Sequence, residues 1–258
     1  MRLRVLGCHG GELPKCRTTC FLVDETLALD AGALTSTLHL DELTRLEHIL
    51  VGHSHFDHVK DLPLIADLLV GRRDKPVVIH ASPECARTLQ DNMFNNLLWP
   101  DFTRIPSRDR PVLRIELFEH FKIFKVGAWE VLPIPVTHPV ESTAFIVMNK
   151  KEKVSLAMSG DTGPTEEMWT ALNGAKNLKA LLLETSFPNE LQGLADISGH
   201  YTPATLESDL QKFKKRKNVP VLLYHLKPAF LAQLGKELRE VARREPVRIL
   251  RLEDRFEL

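Results

Sequence analysis

Short apolar runs rich in β-branched residues recur along the chain, with turn-forming residues between them. Each run is typical of a β-strand: RLRVLG, CFLVD, LALDAG, HILVGH, VVIHAS, WEVLPIPVTH, TAFIVM, KVSLAMSGD, ALLLETS, VPVLLYH and VRILRL. Helical patterns lie between many of the later runs, at roughly 59–70, 83–95, 165–172, 203–215 and 228–244. Strands come first without helices and then alternate with them, which indicates an α/β fold of two face-to-face sheets with helices outside.

The chain contains no internal repeat, low-complexity stretch or linker that would divide it, so we expect residues 1–258 to form a single domain. Its 34 basic and 34 acidic residues cancel, and no overall field draws it to nucleic acid or to an anionic membrane. We therefore expect neither a membrane nor a stable nucleic-acid partner. The basic run KFKKRK, residues 212–217, is most simply the solvated end of a helix, with RNA contact as the alternative.

The first residues form too short an apolar run for a signal peptide, and no segment approaches the length of a membrane span. The four cysteines, Cys8, Cys16, Cys20 and Cys85, include no CxxC pair, so reduced thiols are the simplest interpretation. Together these features predict a cytoplasmic protein.

The segment VGHSHFDH concentrates candidate chemistry, because His53, His55, Asp57 and His58 occupy six positions directly after a predicted strand. Core packing does not explain the run, since four buried polar side chains would each need a partner. Coordination supplies those partners, because imidazole and carboxylate bind zinc, iron and manganese well. A tight turn could aim two of the side chains to one side and two to the other, so one cluster could serve two metals.

Three later apolar runs each deliver one polar side chain at the tip. His138 ends WEVLPIPVTH, Asp161 ends KVSLAMSGD and His225 ends VPVLLYH. Each residue alone could be a surface residue. In this order, after the His-rich run, they indicate further metal ligands in the loops at a sheet edge.

HSHFDH followed by these three residues resembles the metallo-β-lactamase fold, an αββα four-layer sandwich with two metals at one edge. The resemblance implies one metal on His53, His55 and His138, a second on Asp57, His58 and His225, and Asp161 bridging both. Two cations about 3.5 to 4 Å apart lower the pKa of a bridging water towards neutrality, so hydrolysis is expected. Asp30, at the end of LALDAG, matches an acidic residue that supports the ligands; a turn-forming role is the alternative.

Three further stretches resemble class II 3′,5′-cyclic nucleotide phosphodiesterases. They are DNMFNNLLWPDFTRIP at 91–106, HPVESTAFIV with Ser142 and Thr143, and the pair SGHYTP and YHLKP with His200 and Lys227. The resemblance runs over most of the chain. It implies a metal-dependent phosphodiesterase that hydrolyses cyclic AMP, cyclic GMP or both to nucleoside 5′-monophosphates, with the cyclic nucleotide as its small-molecule partner.

A flat base, a sugar and a monoanionic phosphodiester need an aromatic or amide wall, hydrogen-bond donors and positive charge. The wall is predicted from the first stretch, with packing of the same side chains on the core as the alternative: Phe94, Asn95, Asn96, Trp99 and Phe102. Ser142 and Thr143 are further binding candidates.

The candidate catalytic residues are Asp57, His200 and Lys227. His200 could protonate the leaving 3′ oxygen or hold a phosphate oxygen, and a structural histidine is the alternative. Lys227 could offset phosphate charge, or lie in solvent at a helix start.

The main rival is a ribonuclease Z-like nuclease, because LLLETSF followed by SGHYTP also resembles that group's glutamate and histidine motifs. Such an enzyme needs a protruding arm to hold folded RNA, and the sequence contains no inserted segment of that kind. A non-catalytic nucleotide sensor or a redox protein is the other alternative, but all seven ligand positions are filled. Metal identity, with zinc first and iron or manganese as alternatives, and a homodimer stay open.

Overall fold

The computed structural model describes residues 1–258. Seven strands of the first sheet span Arg2–Gly7 (β1), Cys20–Val23 (β2), Leu27–Leu29 (β3), His48–Leu50 (β4), Val77–Ala81 (β5), Leu113–Leu117 (β6) and Arg255–Glu257 (β14). Seven strands of the second span Phe124–Val126 (β7), Trp129–Val136 (β8), Ser142–Asn149 (β9), Val154–Met158 (β10), Leu178–Glu184 (β11), Val221–Tyr224 (β12) and Val247–Ile249 (β13). The strand orders are β14-β1-β2-β3-β4-β5-β6 and β13-β12-β11-β10-β9-β8-β7.

Eight α-helices connect the strands. They span Leu40–Leu43 (α1), Phe56–Val59 (α2), Leu62–Leu69 (α3), Pro83–Asn92 (α4), Glu167–Gly174 (α5), Gln192–Ser198 (α6), Pro203–Leu210 (α7) and Leu231–Ala242 (α8). Single 3₁₀ turns lie at Asn189–Leu191 and Pro228–Phe230. None of these helices combines the length and the apolar character that crossing a membrane requires.

Three apolar layers hold the fold together. One lies between the first sheet and helices α1, α3 and α4, a second lies between the two sheets, and a third lies between the second sheet and helices α5, α7 and α8. Strand β9 is apolar almost throughout because both of its faces are buried. Phe145 and Val147 face the first sheet, while Ala144 and Ile146 face the helices. A strand buried on both faces loses the alternation of polar and apolar residues.

All of the predicted strands form, and the expected arrangement of two sheets with helices outside is confirmed. The sequence patterns missed β6, β7 and β14, together with the short helices α1, α2 and α6. Strand β6 escaped because Arg114 and Glu116 interrupt its apolar residues and most of the strand is at least partly exposed. Helix α2 has only four residues, fewer than a helical period needs to be recognised.

Strand direction decides where the functional loops lie. Strands β3, β4, β5 and β6 are parallel in the first sheet, and β10, β11, β12 and β13 are parallel in the second. Strand β8 runs in the same direction as β10, because both are antiparallel to β9. The residues that follow β8, β10, β11 and β12 therefore meet at one edge of the second sheet.

Candidate metal centre

Seven histidine and aspartate side chains converge at one edge of the two sheets. Four come from the loop and short helix that follow β4, and one each follows β8, β10 and β12: His53, His55, Asp57, His58, His138, Asp161 and His225. The seven residues predicted from the sequence to be ligands thus lie together.

Three of the histidines form one group. The ligand-type atoms of His53, His55 and His138 all lie within 4.8 Å of one another. His138 Nε2 is 3.2 Å from His55 Nδ1, and the ring of His53 lies 4.6 Å from that of His55 and 4.9 Å from that of His138, centroid to centroid. Three imidazole nitrogens this close together are a typical ligand set for a transition-metal ion.

A second group contains Asp57, His58 and His225. His225 Nε2 lies 3.3 Å from Asp57 Oδ2 and 3.3 Å from His58 Nε2. Asp161 lies between the two groups: its Oδ2 is 3.1 Å from His225 Nε2, 3.2 Å from His58 Nε2 and 3.7 Å from His53 Nε2. One carboxylate therefore contacts members of both groups.

Unpaired polar atoms test whether these residues fit metal ions. His53 is fully buried, yet neither of its ring nitrogens has a hydrogen-bond partner, and Asp161 Oδ1 also has none. A buried donor or acceptor without a hydrogen bond is costly, so such atoms in a folded protein point to an ion or another missing partner. A set of imidazoles and carboxylates suits divalent transition metals, and the residues fit such ions.

Other side chains fix the orientation of the rings. His58 Nδ1 donates to Asp30 Oδ2 at 2.6 Å, and Asp30 Oδ1 accepts the backbone N–H of Gly52 at 2.8 Å. His138 Nδ1 donates to the carbonyl of Gly199 at 3.0 Å. Holding one nitrogen of a ring in this way turns the other nitrogen towards the centre. Asp30, predicted to be a supporting residue, therefore contacts a candidate ligand directly.

Backbone conformation also reflects the demands of the site. Asp30 and His225 both adopt positive φ angles, 59° and 68°, which are unfavourable for residues other than glycine. Gly10 lies against His225 so closely that an added Cβ would come within 2.6 Å of its Nδ1. The loop after β1 can cover the His225 ring only because that position is glycine.

The surroundings shift the pKa values of the cluster residues in different directions. Burial, followed by the charge of His58, lowers the pKa of His53. Burial opposes protonation of His58, but Asp161 and Asp30 outweigh it and raise its pKa. Burial also opposes ionisation of Asp161, but His225 and His58 hold its pKa well below the usual range. An ionised carboxylate between imidazoles is a suitable environment for cations.

His200 lies beside the cluster on the turn after α6 and is 5% exposed. Its ring stacks on that of His225 with centroids 5.3 Å apart, and its Nδ1 lies 3.0 Å from Glu184 Oε1. Burial opposes protonation of His200, but Glu184 outweighs it and raises the pKa. The ring is thus poised to carry a proton next to the candidate ligands.

Glu184 is the residue of this site that the sequence analysis did not select. It ends β11, is fully buried and also accepts the Ser186 hydroxyl at 3.0 Å. The Ser186 oxygen lies 2.8 Å from His225 Nδ1, so this network reaches a candidate ligand. The sequence contains a pattern that could have identified Glu184. A carboxylate at the tip of the apolar run ALLLE follows the same pattern as Asp161 after VSLAM.

The other predicted catalytic and binding residues near the cluster have different surroundings. Lys227 is half-buried, and its Nζ lies 5.8 Å from the ring centroid of Phe187, which packs on His200. Ser142 and Thr143 are almost fully buried. Ser142 Oγ donates to the carbonyl of Asp161 at 2.9 Å, so it positions the loop of that ligand instead of facing solvent.

The predicted wall residues do not face the cluster. Phe94 and Phe102 are 3% and 4% exposed and pack in the apolar layer outside the first sheet, where Trp99 also packs. Asn95 Oδ1 accepts two backbone N–H groups of its own loop, and Asn96 Oδ1 accepts another. The amides therefore stabilise a turn, and the aromatic rings fill the core.

Chain direction explains this placement. Helix α4 begins after Ser82, at the cluster end of β5, and its ten residues run back by about 15 Å. The backbone N–H of Leu113, at the start of β6, then donates to the carbonyl of Phe102. The stretch thus lies at the opposite end of the first sheet, and the wall expected from the sequence is not part of this site.

Comparison with solved structures defines the fold. The chain is similar to the unliganded yeast PDE1, with a TM-score of 0.81 and 21% identity over 98% of both chains. It is also similar to the metallo-β-lactamase fold protein YhfI of Bacillus subtilis, with a TM-score of 0.75 and 16% identity over 99% of both chains. The predicted metallo-β-lactamase fold is therefore confirmed.

Sequence comparison defines the family. Residues 34–240 match the model of class-II cAMP phosphodiesterases, and the chain belongs to this family. A probable 3′,5′-cyclic-nucleotide phosphodiesterase of Yersinia pestis is 26% identical over 214 residues, which cover 74% of this chain. The match covers 59% of the length of that relative.

Proposed function

We propose that the protein hydrolyses 3′,5′-cyclic nucleotides to nucleoside 5′-monophosphates with two divalent transition-metal ions at the edge of its sheets. The observation that carries this proposal is the position of Asp161, whose one carboxylate oxygen lies between two groups of imidazoles. Membership of the class-II family supports a cyclic nucleotide as the substrate.

His53, His55 and His138 would hold one ion, and Asp57, His58 and His225 the other, with Asp161 shared. Bound ions would supply Lewis-acid activation of water and stabilise the charge that develops on the phosphate. Zinc is the first choice for this donor set, and iron or manganese are the alternatives.

His200 has the role of proton donor to the leaving 3′ oxygen. An alkoxide leaves poorly unless it is protonated, and a buried imidazole whose pKa Glu184 raises against the effect of burial is suited to donate that proton. Lys227 lies near the same side of the cluster, where Phe187 contacts both residues, and it offsets phosphate charge. Asp57 would hold an ion, and it orients His225 through their 3.3 Å contact.

The rival proposal, a ribonuclease Z-like nuclease, shares the Glu184 and His200 pair but lacks support from the family match. The zero formal net charge also gives no general attraction for tRNA. A non-catalytic sensor would not need a buried, paired His200 beside the ligands. We therefore favour catalysis on a free cyclic nucleotide.

One purified sample decides between these functions. It is tested with cyclic AMP, cyclic GMP and precursor tRNA, and its metal content is measured by elemental analysis. The proposal expects about two transition-metal ions per chain and release of a 5′-monophosphate. A 3′-monophosphate product, or cleavage of the tRNA alone, would contradict it.

A further inference from the structure

Phe56 occupies an unusual position between two candidate ligands, His55 and Asp57. Its side chain begins the short helix α2 and is 67% exposed, whereas His53 and His58 are fully buried. Consecutive Cα atoms are about 3.8 Å apart, so the Cα of Phe56 lies at that distance from the Cα of one residue in each candidate metal group. Phe56 is therefore an exposed aromatic side chain directly adjacent in the chain to two candidate ligands.

The fold does not use this ring. Phe56 belongs to none of the three apolar layers, and α2 is anchored instead by the buried Val59. A fully buried phenylalanine would contribute about 1.5 to 3 kcal/mol to folding, most of which is forgone here. A large apolar side chain exposed beside charged ligands is better explained by a bound molecule.

Two other segments that contact His225 through Gly10 and His200 also expose apolar side chains. Leu13, 54% exposed, lies three residues after the Gly10 that covers His225, and Ile197, 81% exposed, lies three residues before His200. Leu13, Phe56 and Ile197 are thus exposed apolar residues within three positions in the chain of a residue at the cluster. Exposed apolar groups around a few convergent polar ones are typical of a small-molecule site.

We infer that Phe56 is the residue on which the base of the substrate stacks, an inference that rests on the proposed function. With the phosphate at the ligands, the base lies one sugar ring away, which is a distance that a side chain adjacent to two ligands can span. A planar purine gains dispersion and quadrupole energy against a phenyl face, and any purine does so. Phe56 thus sets a preference for base-bearing cyclic phosphates and discriminates weakly between adenine and guanine.

The test removes the ring and the base independently. Phe56→Ala is compared with the wild-type protein on cyclic AMP and on ribose 3′,5′-cyclic phosphate, which lacks the base. We expect a loss of about tenfold or more in kcat/KM for cyclic AMP, mainly through KM, and no change for the abasic substrate. Phe56→Tyr keeps the flat ring and should restore the wild-type value.

Two variants control for indirect effects. Phe56→Leu keeps apolar bulk without a flat face, so it should lose cyclic AMP activity while retaining the metal content of the wild type. Leu97→Ala removes a side chain that is 91% exposed at the opposite end of the first sheet, and it should behave as wild type. Equal losses on both substrates, or full activity of Phe56→Leu, would overturn the inference.

A binding measurement separates this inference from the proposed function. If the wild-type protein hydrolyses neither cyclic substrate, the proposed activity fails. Equilibrium binding of adenosine 5′-monophosphate and ribose 5-phosphate then tests Phe56 alone. The inference expects the wild type to bind adenosine 5′-monophosphate about tenfold more tightly than ribose 5-phosphate. It expects Phe56→Leu to bind the two ligands equally. No preference in the wild type, or the same preference in both proteins, would overturn it.

Discussion

His200 Nδ1 lies 3.0 Å from Glu184 Oε1, and both side chains are buried beside the candidate metal ligands. The same carboxylate accepts the Ser186 hydroxyl through its other oxygen, and the Ser186 oxygen contacts His225. One glutamate therefore orients the proposed proton donor and, through a serine, one proposed ligand. A purely structural histidine would not need this link to the cluster.

Replacing His200 by alanine tests its role as the proton donor. A positioned acid contributes about 10² to 10⁴ in rate, so kcat for cyclic AMP should fall within this range in His200→Ala. Metal content should stay at the wild-type level, because His200 is not among the proposed ligands. Steady-state kinetics and elemental analysis on the same preparation provide the measurement, and an unchanged kcat would return His200 to a structural role.

Glu184→Gln is the companion variant. Glu184 raises the pKa of His200, so the neutral amide of Glu184→Gln should leave His200 with a lower pKa. A general acid loses activity as pH rises through its pKa, and the alkaline limb of the kcat profile should therefore move to lower pH. A profile that keeps its alkaline limb while kcat falls would contradict the assignment.

Asp161→Ala should abolish activity and lower the metal content, because both groups of imidazoles lose the carboxylate between them. Elemental analysis after extensive dialysis is the direct measurement. Ser142→Ala gives a matched control, because the Ser142 hydroxyl donates to the backbone carbonyl of Asp161 and not to its carboxylate, so activity and metal content should fall less. An active Asp161→Ala protein with a full complement of metal would overturn the ligand assignment.

Trp99→Ala should destabilise the protein without a selective effect on cyclic nucleotides. Its side chain is only partly buried on the layer outside the first sheet, far from the ligands. Truncation should therefore cost about 2 kcal/mol, less than the about 3 to 5 kcal/mol of a fully buried aromatic residue. Urea denaturation measures that loss. A rise in KM for cyclic AMP at unchanged stability would instead return the stretch to the substrate site.

Acid should destabilise the folded protein through His80. His80 is buried on β5, and its Nε2 is 3.1 Å from His48 Nδ1. Burial, followed by the charge of His48, lowers the pKa of His80 from 6.5 to about 4. Because the unfolded chain binds this proton more readily, the stabilisation is complete above pH 6.5 and is lost as pH falls towards 4.

The expected loss from this one group between pH 7 and pH 5 is about 2 kcal/mol in the free energy of unfolding. His80→Gln keeps a polar group on β5 and should reduce the pH dependence by that amount. Urea denaturation of both proteins across this pH range measures the difference. An identical pH dependence in the two proteins would show that His80 does not carry the effect.

Most of the fold and the candidate ligands could be predicted from the sequence because both depend on short-range patterns. Apolar runs such as STAFIVM form strands since both of their faces are buried. A polar residue at the tip of such a run lies at a sheet edge, and parallel strands end at the same edge. That is why His138, Asp161 and His225 could be selected although many residues separate them.

Tertiary structure alone decided where Phe94, Trp99 and Phe102 point. Aromatic residues after a helix can pack inward or line a site, and the sequence pattern is the same in both cases. Helix α4 runs away from the ligands, so these rings reach the opposite end of the sheet and fill the core. Glu184 ends an apolar run as Asp161 does, but only the tertiary structure places its carboxylate against His200 and Ser186. Those contacts come from strand order and loop packing, which no local pattern in the sequence specifies.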